Sequence, residues 1–141
     1  MREHLVNLAL KMVGCPYIWG GANPWTGLDC SGFVIWIYQV FGLLPSGDWT
    51  AQGLYDRFAA NRNLALDLAD KGDLVFYGRN KGEITHVMLR LSTTLVVGAS
   101  GGGRKTLTVE DARRAGAQVK VKFIDYRKDE AATLHVRFPG E

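Results

Sequence analysis

The sequence predicts an α+β fold, with helices leading and a mostly antiparallel sheet of five or six strands following. Three observations predict it: apolar residues spaced three and four apart near the N-terminus, a nearly continuous apolar run over residues 30–41, and short β-branched runs between turns in the second half. With 141 residues, 47% hydrophobic and 22% charged, the chain is long enough for one compact core. We therefore expect a single domain over residues 1–141.

Three helices are predicted in the first half of the chain. Apolar side chains recur at helical spacing over residues 3–13. The apolar run from Cys30 to Phe41 indicates a helix that is buried on most sides. Thr50 is a suitable N-cap for a third helix over residues 51–60. Between the first two helices, the glycine, asparagine and proline residues from Gly20 to Gly27 predict a loop.

The second half of the chain supplies the predicted sheet. Short apolar and β-branched runs bounded by turn residues predict strands at Leu74 to Tyr77, Ile84 to Leu91, Leu95 to Ala99, Val119 to Ile124 and Thr133 to Phe138. A short helix is expected from Thr108 to Ala115, with Thr108 as its cap and Asp111 at the capping-box position. Helices that precede a run of strands indicate an α+β arrangement.

Cys30 stands at the first turn of the central helix and is the candidate nucleophile. The positive end of the helix dipole and a nearby imidazole both favour thiolate, so we expect the pKa of Cys30 to be lowered. The alternative is a small buried apolar residue, the commoner fate of an unpaired cysteine. Cys15, beside Pro16, is expected to be a packing residue, and both cysteines to be free thiols.

His86 is the candidate general base, 56 positions after Cys30. In a regular strand it would share one face with Ile84, Met88 and Arg90. A lone histidine among apolar neighbours is more often a core residue, which is the alternative here. The other histidines, at positions 4 and 135, lie near the termini with no motif around them.

Four motifs in order carry a resemblance to a known family. They are residues 14–21 (GCPYIWGG), 29–33 (DCSGF), 72–77 (GDLVFY) and 85–88 (THVM). Together they resemble the NlpC family of papain-like cysteine peptidases, bacterial enzymes that cut the peptide stems of peptidoglycan. The resemblance runs from about residue 3 to residue 100 and implies a papain-like fold, with the nucleophile at a helix start packed on the sheet.

The resemblance also implies roles for individual residues. Cys30 would attack the scissile carbonyl and His86 would move the proton, without a metal or cofactor. Tyr17 matches a tyrosine that helps to stabilise the oxyanion, together with backbone N–H groups at the helix start. Asp29 and Ser31 match residues that grip the free amine of a stem peptide, and the bond implied lies between D-glutamate and the diamino acid. Each of these three residues has a purely structural alternative. Tyr17 would be a packed aromatic residue, Asp29 a loop or helix-cap carboxylate, and Ser31 a residue of the first helical turn.

The chain departs from the family pattern at the third catalytic position. That position usually holds a histidine about twelve residues after the base, but here it falls at Gly98, which has no side chain to orient the imidazole. Ser100 would share the strand face of Gly98 and is the candidate substitute, with a backbone carbonyl or a water as alternatives. We expect slow activity. The glycines at 101–103 predict a flexible turn and lack the residues of a phosphate loop.

The expected partners are peptidoglycan stem peptides and phage tail proteins, with no nucleic acid. The net charge of +3 has two interpretations: an ordinary solvated basic surface, or a surface that attracts anionic cell-wall polymers. No window predicts a signal peptide or membrane insertion. We expect a phage or prophage product made in the cytoplasm, carried on a virion tail or released to the cell wall.

Trp25 is expected near the cleft. The alternatives are a non-catalytic tail component, and an amidase or acyltransferase using the same thiol.

Overall fold

The computed structural model describes residues 1–62, 70–127 and 132–136 and has the predicted α+β architecture. The helices of this part of the chain are α1 (Arg2–Lys11), α2 (Cys30–Val40), α3 (Ala51–Arg62) and α4 (Val109–Ala115). The strands are β1 (Ala22–Asn23), β2 (Gly27–Leu28), β3 (Leu74–Gly78), β4 (Ile84–Arg90), β5 (Leu95–Ser100), β6 (Gln118–Phe123) and β7 (Ala132–Val136). None of the helices so described has the length and apolar character needed to cross a membrane.

The main sheet has five strands within the described residues, in the order β6-β5-β4-β3-β7, and every neighbouring pair is antiparallel. This agrees with the predicted sheet. The predicted strand at 133–138 corresponds to β7, and its positions 137 and 138 lie outside the described residues. β4 therefore lies at the centre of the sheet. It is paired on both sides, so the backbone that carries His86 is rigid.

Capping side chains begin two of the helices, as expected. The Thr50 hydroxyl accepts a hydrogen bond from the Gly53 N–H, at 3.0 Å. At α4, Thr108 and Asp111 form the predicted capping box, and Gly116 ends the helix with a φ of 65°. These local bonds satisfy backbone N–H groups that have no partner inside a helix.

The predicted loop from Gly20 to Gly27 is partly wrong, because it contains a small antiparallel hairpin. β1 and β2 pair through Ala22 with Leu28 and Asn23 with Gly27. Strands of two residues are too short for an alternating pattern, so only the turn residues were visible in the sequence.

The predicted side-chain alternation along β4 also fails at its first residue. Tyr77 pairs with His86, but Gly78 pairs with Ile84, so Thr85 is an extra residue in a β-bulge. The bulge moves Ile84 from the face of His86 to the cluster that contains Val87. Sequence periodicity assumes a regular strand and cannot anticipate this shift.

The core lies on both faces of the sheet. The larger cluster joins α1, α2 and α3 to the inward side chains of β3, β4 and β5. A smaller cluster on the other face contains Val75, Tyr77, Met88 and Val96, with the partly buried Ile124 and Tyr126 packed against it. Residues shortly after β6 thus help to cover the sheet close to His86.

We expect Tyr38→Phe to lower the free energy of unfolding by about 1–2 kcal/mol. The fully buried Tyr38 hydroxyl of α2 donates to the Gly72 carbonyl at 2.7 Å, and phenylalanine would leave that buried acceptor without this donor. Urea denaturation measures the change. Trp25→Phe, at a site that is 90% exposed, is the control and should stay within about 0.5 kcal/mol of the parent. Equal effects of the two substitutions would contradict the assignment.

Candidate active site

Asp29 fixes the start of α2, the helix that carries Cys30. Its Oδ1 accepts the Gly32 N–H at 2.7 Å and the Ser31 hydroxyl at 3.3 Å, while Oδ2 accepts the Gly20 N–H at 3.1 Å. The carboxylate therefore joins the helix start to the loop before it. Position 32 requires glycine, because a Cβ there would lie 2.0 Å from the Gly21 carbonyl oxygen.

The thiol of Cys30 lies against the central strand. The backbone N–H groups of Val87, directly after His86 in β4, and of Ser31 are near enough to the thiol to lower its pKa. Cys15 is the other free cysteine of the part described here and packs against the main core, as expected. The packing of α2 on β4 thus brings Cys30 to the strand that carries His86.

The prediction that the pKa of Cys30 is lowered is wrong, because the surroundings raise it. Burial and then the Asp29 carboxylate raise the pKa of Cys30 to about 11, while the two backbone N–H groups and the Arg127 guanidinium lower it by less. The dipole argument omitted desolvation, which disfavours the charged form of a buried thiol. In the resting site the thiol is therefore protonated at neutral pH.

Tyr17 lies beside the thiol and is buried. Its ring packs over Gly102, where a Cβ would lie 2.3 Å from the ring carbon Cδ1. Burial raises the pKa of Tyr17 well above its ordinary value, and the charges of Cys30 and Asp29 add to this effect. The hydroxyl stays protonated at neutral pH and is available as a donor. The glycine run at 101–103 thus includes a position that tyrosine packing restricts to glycine.

His86 is buried, with 3% of its surface exposed, and its outer ring nitrogen has a side-chain partner. Nε2 lies 2.7 Å from the hydroxyl of Tyr126, which in turn lies 2.9 Å from Oγ of Ser100. Ser100 is therefore linked to the imidazole through Tyr126. Burial, and then the charge of Arg127, lower the pKa of His86 well below its ordinary value, so the ring is neutral at neutral pH.

A cleft of about 460 Å³ opens in front of the thiol. Its walls include Tyr17, Asp29, Cys30 and Ser31, together with Ile84 and Thr85 of β4, the residues that lead into His86. The structure thus brings four of the sequence-predicted site residues to one cleft, and the buried His86 follows Thr85 directly in β4.

Aromatic and acidic residues that the sequence did not single out also line the cleft. Trp19 and Trp49 lie on its walls with Asp48. Trp25, which was expected near the cleft, stands 90% exposed in the turn between β1 and β2. With Asp29 and Asp48 on its walls, the cleft favours a cationic group such as a free amine.

The residues that sequence reasoning missed lie after β6. Tyr126 and Arg127 belong to no motif and follow the stretch that carried the resemblance. Only the turn after β6 brings them to His86, and no spacing in the sequence signals that contact. For metals, residues 1–62, 70–127 and 132–136 contain no group of three or more His, Cys, Asp or Glu side chains arranged to hold an ion.

Comparison with known proteins decides the family. The sequence profile of the NlpC/P60 family matches residues 14–124. This chain belongs to the NlpC/P60 family. The match begins at the first of the four motifs and extends through β6, beyond the stretch expected from the sequence, so it includes Gly98 and Ser100.

Individual NlpC/P60 relatives agree with this assignment. The bifunctional muramidase/DL-endopeptidase CwlT of Bacillus subtilis is 44% identical over 88 residues, which cover 60% of this chain and 25% of CwlT. The peptidoglycan endopeptidase RipB of Mycobacterium tuberculosis is 34% identical over 141 residues, covering 88% of this chain and 54% of RipB. The chain thus spans about a quarter of the one relative and about half of the other.

A solved NlpC/P60 structure matches over nearly the whole length. The crystal structure of the NlpC/p60 domain of the peptidoglycan hydrolase SagA superposes with a TM-score of 0.70 at 30% identity. The match covers 97% of this chain and 98% of that domain. The helices-then-sheet architecture of this chain is therefore that of the family.

Proposed function

We propose that this chain is a cysteine endopeptidase that hydrolyses peptidoglycan stem peptides. The observation that carries the proposal is the placement of Cys30 at the start of α2, in an open cleft and against the backbone of β4 next to His86. A thiol and an imidazole on two rigid elements are the components of nucleophilic catalysis. The names of CwlT, RipB and SagA support peptidoglycan as the substrate.

The proposed reaction begins from a neutral thiol and a neutral imidazole. The Cys30 sulfur attacks the scissile carbonyl carbon as its proton moves to His86, which forms a C–S bond and a tetrahedral oxyanion. Tyr17 and backbone N–H groups at the start of α2 donate to that oxyanion. The imidazolium then protonates the leaving nitrogen as the C–N bond breaks. His86 next takes a proton from water, which attacks the thioester and releases the carboxylate and the free thiol.

The acidic cleft supports a substrate with a free amine. Asp29 and Ser31 lie beside the nucleophile, and Asp48 adds a second carboxylate to the walls. We propose that these groups bind the amine of a stem peptide's first amino acid and place the bond between D-glutamate and the diamino acid at Cys30. Asp29 serves at the same time as the cap of α2.

Mass analysis of muropeptides tests the proposal. Purified protein is incubated with free stem peptides, whose first amine is unblocked, and with muropeptides, in which the sugar's lactyl group acylates that amine. Each cleavage should add the mass of one water and release a fragment that begins with the diamino acid. Release of an intact stem from the sugar would indicate an amidase, and transfer to an added amine would indicate an acyltransferase. Free stem peptides and muropeptides that both stay unchanged at high enzyme concentration would contradict the peptidase proposal.

The second candidate is a non-catalytic structural component of a phage tail. Gly98 favours it, because the third catalytic position of the family lacks a side chain here. Binding to peptidoglycan sacculi without release of any fragment would support it. The phage or prophage origin, the tail partners and the location at the cell wall stay predictions from the sequence.

We expect Tyr17→Phe to lower kcat by about tenfold to a hundredfold with little change in KM. The substitution removes a hydroxyl that strengthens its hydrogen bond only as negative charge develops, while the ring keeps its packing on Gly102. Steady-state kinetics on a purified free stem peptide measure the effect. Tyr38→Phe, which removes a hydroxyl bonded to Gly72, is the matched control. A kcat equal to that of the control would remove Tyr17 from the oxyanion site.

A further inference from the structure

Tyr126 is held firmly beside the candidate base by the turn after β6. Its N–H donates to the Phe123 carbonyl at 3.1 Å, and the neighbouring Ile124 donates to the Thr94 carbonyl at 2.8 Å. The Tyr77 hydroxyl donates to the Ile124 carbonyl at 2.8 Å. The ring makes an edge contact with the His86 ring, at 6.2 Å between centroids. The hydroxyl is thus placed by main-chain bonds and ring packing.

We propose that Tyr126 is a positioning residue that fixes the tautomer and orientation of His86, with Ser100 as the acceptor behind it. The Tyr126 oxygen accepts the Nε2–H of His86, and the Tyr126 O–H donates to Oγ of Ser100. Nδ1 is then the unprotonated nitrogen and takes the proton of the Cys30 thiol. This role rests on the proposed function, because an oriented base matters only to a reacting thiol.

The single proton of the phenol couples the two bonds of the Tyr126 hydroxyl. Arg127 interacts with the Tyr126 hydroxyl and lowers its pKa, by less than burial raises it. When the phenol donates to Ser100, at 2.9 Å, the imidazole at 2.7 Å supplies the proton of the other bond, and the proposed role of Nδ1 as the base requires this arrangement. Burial raises the pKa of Tyr126, which keeps that proton on the phenol at neutral pH.

The neighbourhood of Gly98 explains why the orienting group comes from outside β5. A Cβ at position 98 would lie 2.6 Å from Sδ of Met88, so the Met88 side chain fills the space that a larger residue would need. Met88 belongs to the same cluster on which Tyr126 packs. The family pattern has one side chain on β5 at this place. This chain instead has glycine on β5, methionine on β4 and a tyrosine after β6.

The test is the tautomer of His86, read without substrate. In protein labelled with ¹⁵N, recorded at pH 7.5, the ring of His86 should carry its proton on Nε2, with the signal assigned by its loss in His86→Gln. Tyr126→Phe keeps the ring and removes the acceptor, so the Nδ1–H form should become populated. Ser100→Ala should act in the same direction, because the freed phenolic proton can turn to Nε2. Tyr38→Phe is the matched control and should leave the tautomer unchanged.

Kinetics supply the second readout. Tyr126→Phe should lower kcat about tenfold with little change in KM, and Ser100→Ala should lower it less. A parent protein with the proton on Nδ1, or a Tyr126→Phe variant with unchanged tautomer and kcat, would overturn the proposal. If the parent cleaves neither free stem peptides nor muropeptides but Tyr126→Phe still shifts the tautomer, the positioning role stands and the peptidase proposal fails.

Discussion

Cys30→Ala is expected to abolish stem-peptide cleavage, with a loss of about 10⁴-fold or more in kcat/KM, and to leave the fold intact. The sulfur is the attacking atom of the proposed reaction, and alanine offers no nucleophile. Cys30→Ser should be nearly as inactive, because its hydroxyl is far less acidic than a thiol. Product release measured by mass analysis, together with a thermal unfolding profile, checks both parts of the expectation.

Cys15→Ala is the matched control for this experiment. Cys15 is also a half-buried free thiol, but it packs against the core away from the residues that line the cleft. The Cys15 variant should keep its turnover. Retained cleavage by Cys30→Ala would contradict the thiol mechanism. If both variants lost activity and also lost the fold, disrupted packing would explain both losses.

The parts of the fold that the sequence predicted are those with a strong local signal. The spacing of apolar residues gave α1, and the Thr108–Asp111 pair gave the start of α4, because a capping box is a short-range interaction. The two-residue strands of the hairpin and the bulge at Thr85 have no periodic signature and became visible only in the structure.

The site was predictable as far as motifs reached. Cys30 and Tyr17 both lie in sequence motifs, and the structure brings them to one cleft. Tyr126 reaches His86 only through a turn after β6, a contact between residues 40 positions apart that no local pattern encodes. The identity of a residue shows which group is present, whereas its partners depend on the tertiary structure.

The same distinction applies to the acidity of Cys30, and it changes the expected reactivity of the thiol. A helix start and a neighbouring imidazole predict a thiolate. In the structure the imidazole is itself neutral, since burial lowers the pKa of His86, and desolvation of the thiol outweighs the backbone donors. Among the described residues, the Asp29 carboxylate raises the pKa of Cys30 and the Arg127 guanidinium lowers it, while the phenols of Tyr17 and Tyr126 also interact with the thiol.

We therefore expect alkylation of Cys30 by iodoacetamide to rise about tenfold per pH unit from pH 7 to 10, without levelling near 8.5. Thiolate is the reacting form, and a pKa of about 11 leaves roughly 10⁻³ of the thiol ionised at pH 8, against about a quarter for an ordinary thiol. The Cys15→Ala variant reports on Cys30 alone, and the rate is followed by mass spectrometry of the intact protein. Asp29→Asn should shift the profile to lower pH, because it removes the carboxylate charge while the amide oxygen can still cap α2. A rate that reaches its plateau below pH 8 would show a resting thiolate, and the reaction would then begin from an ion pair with His86 rather than from the neutral pair.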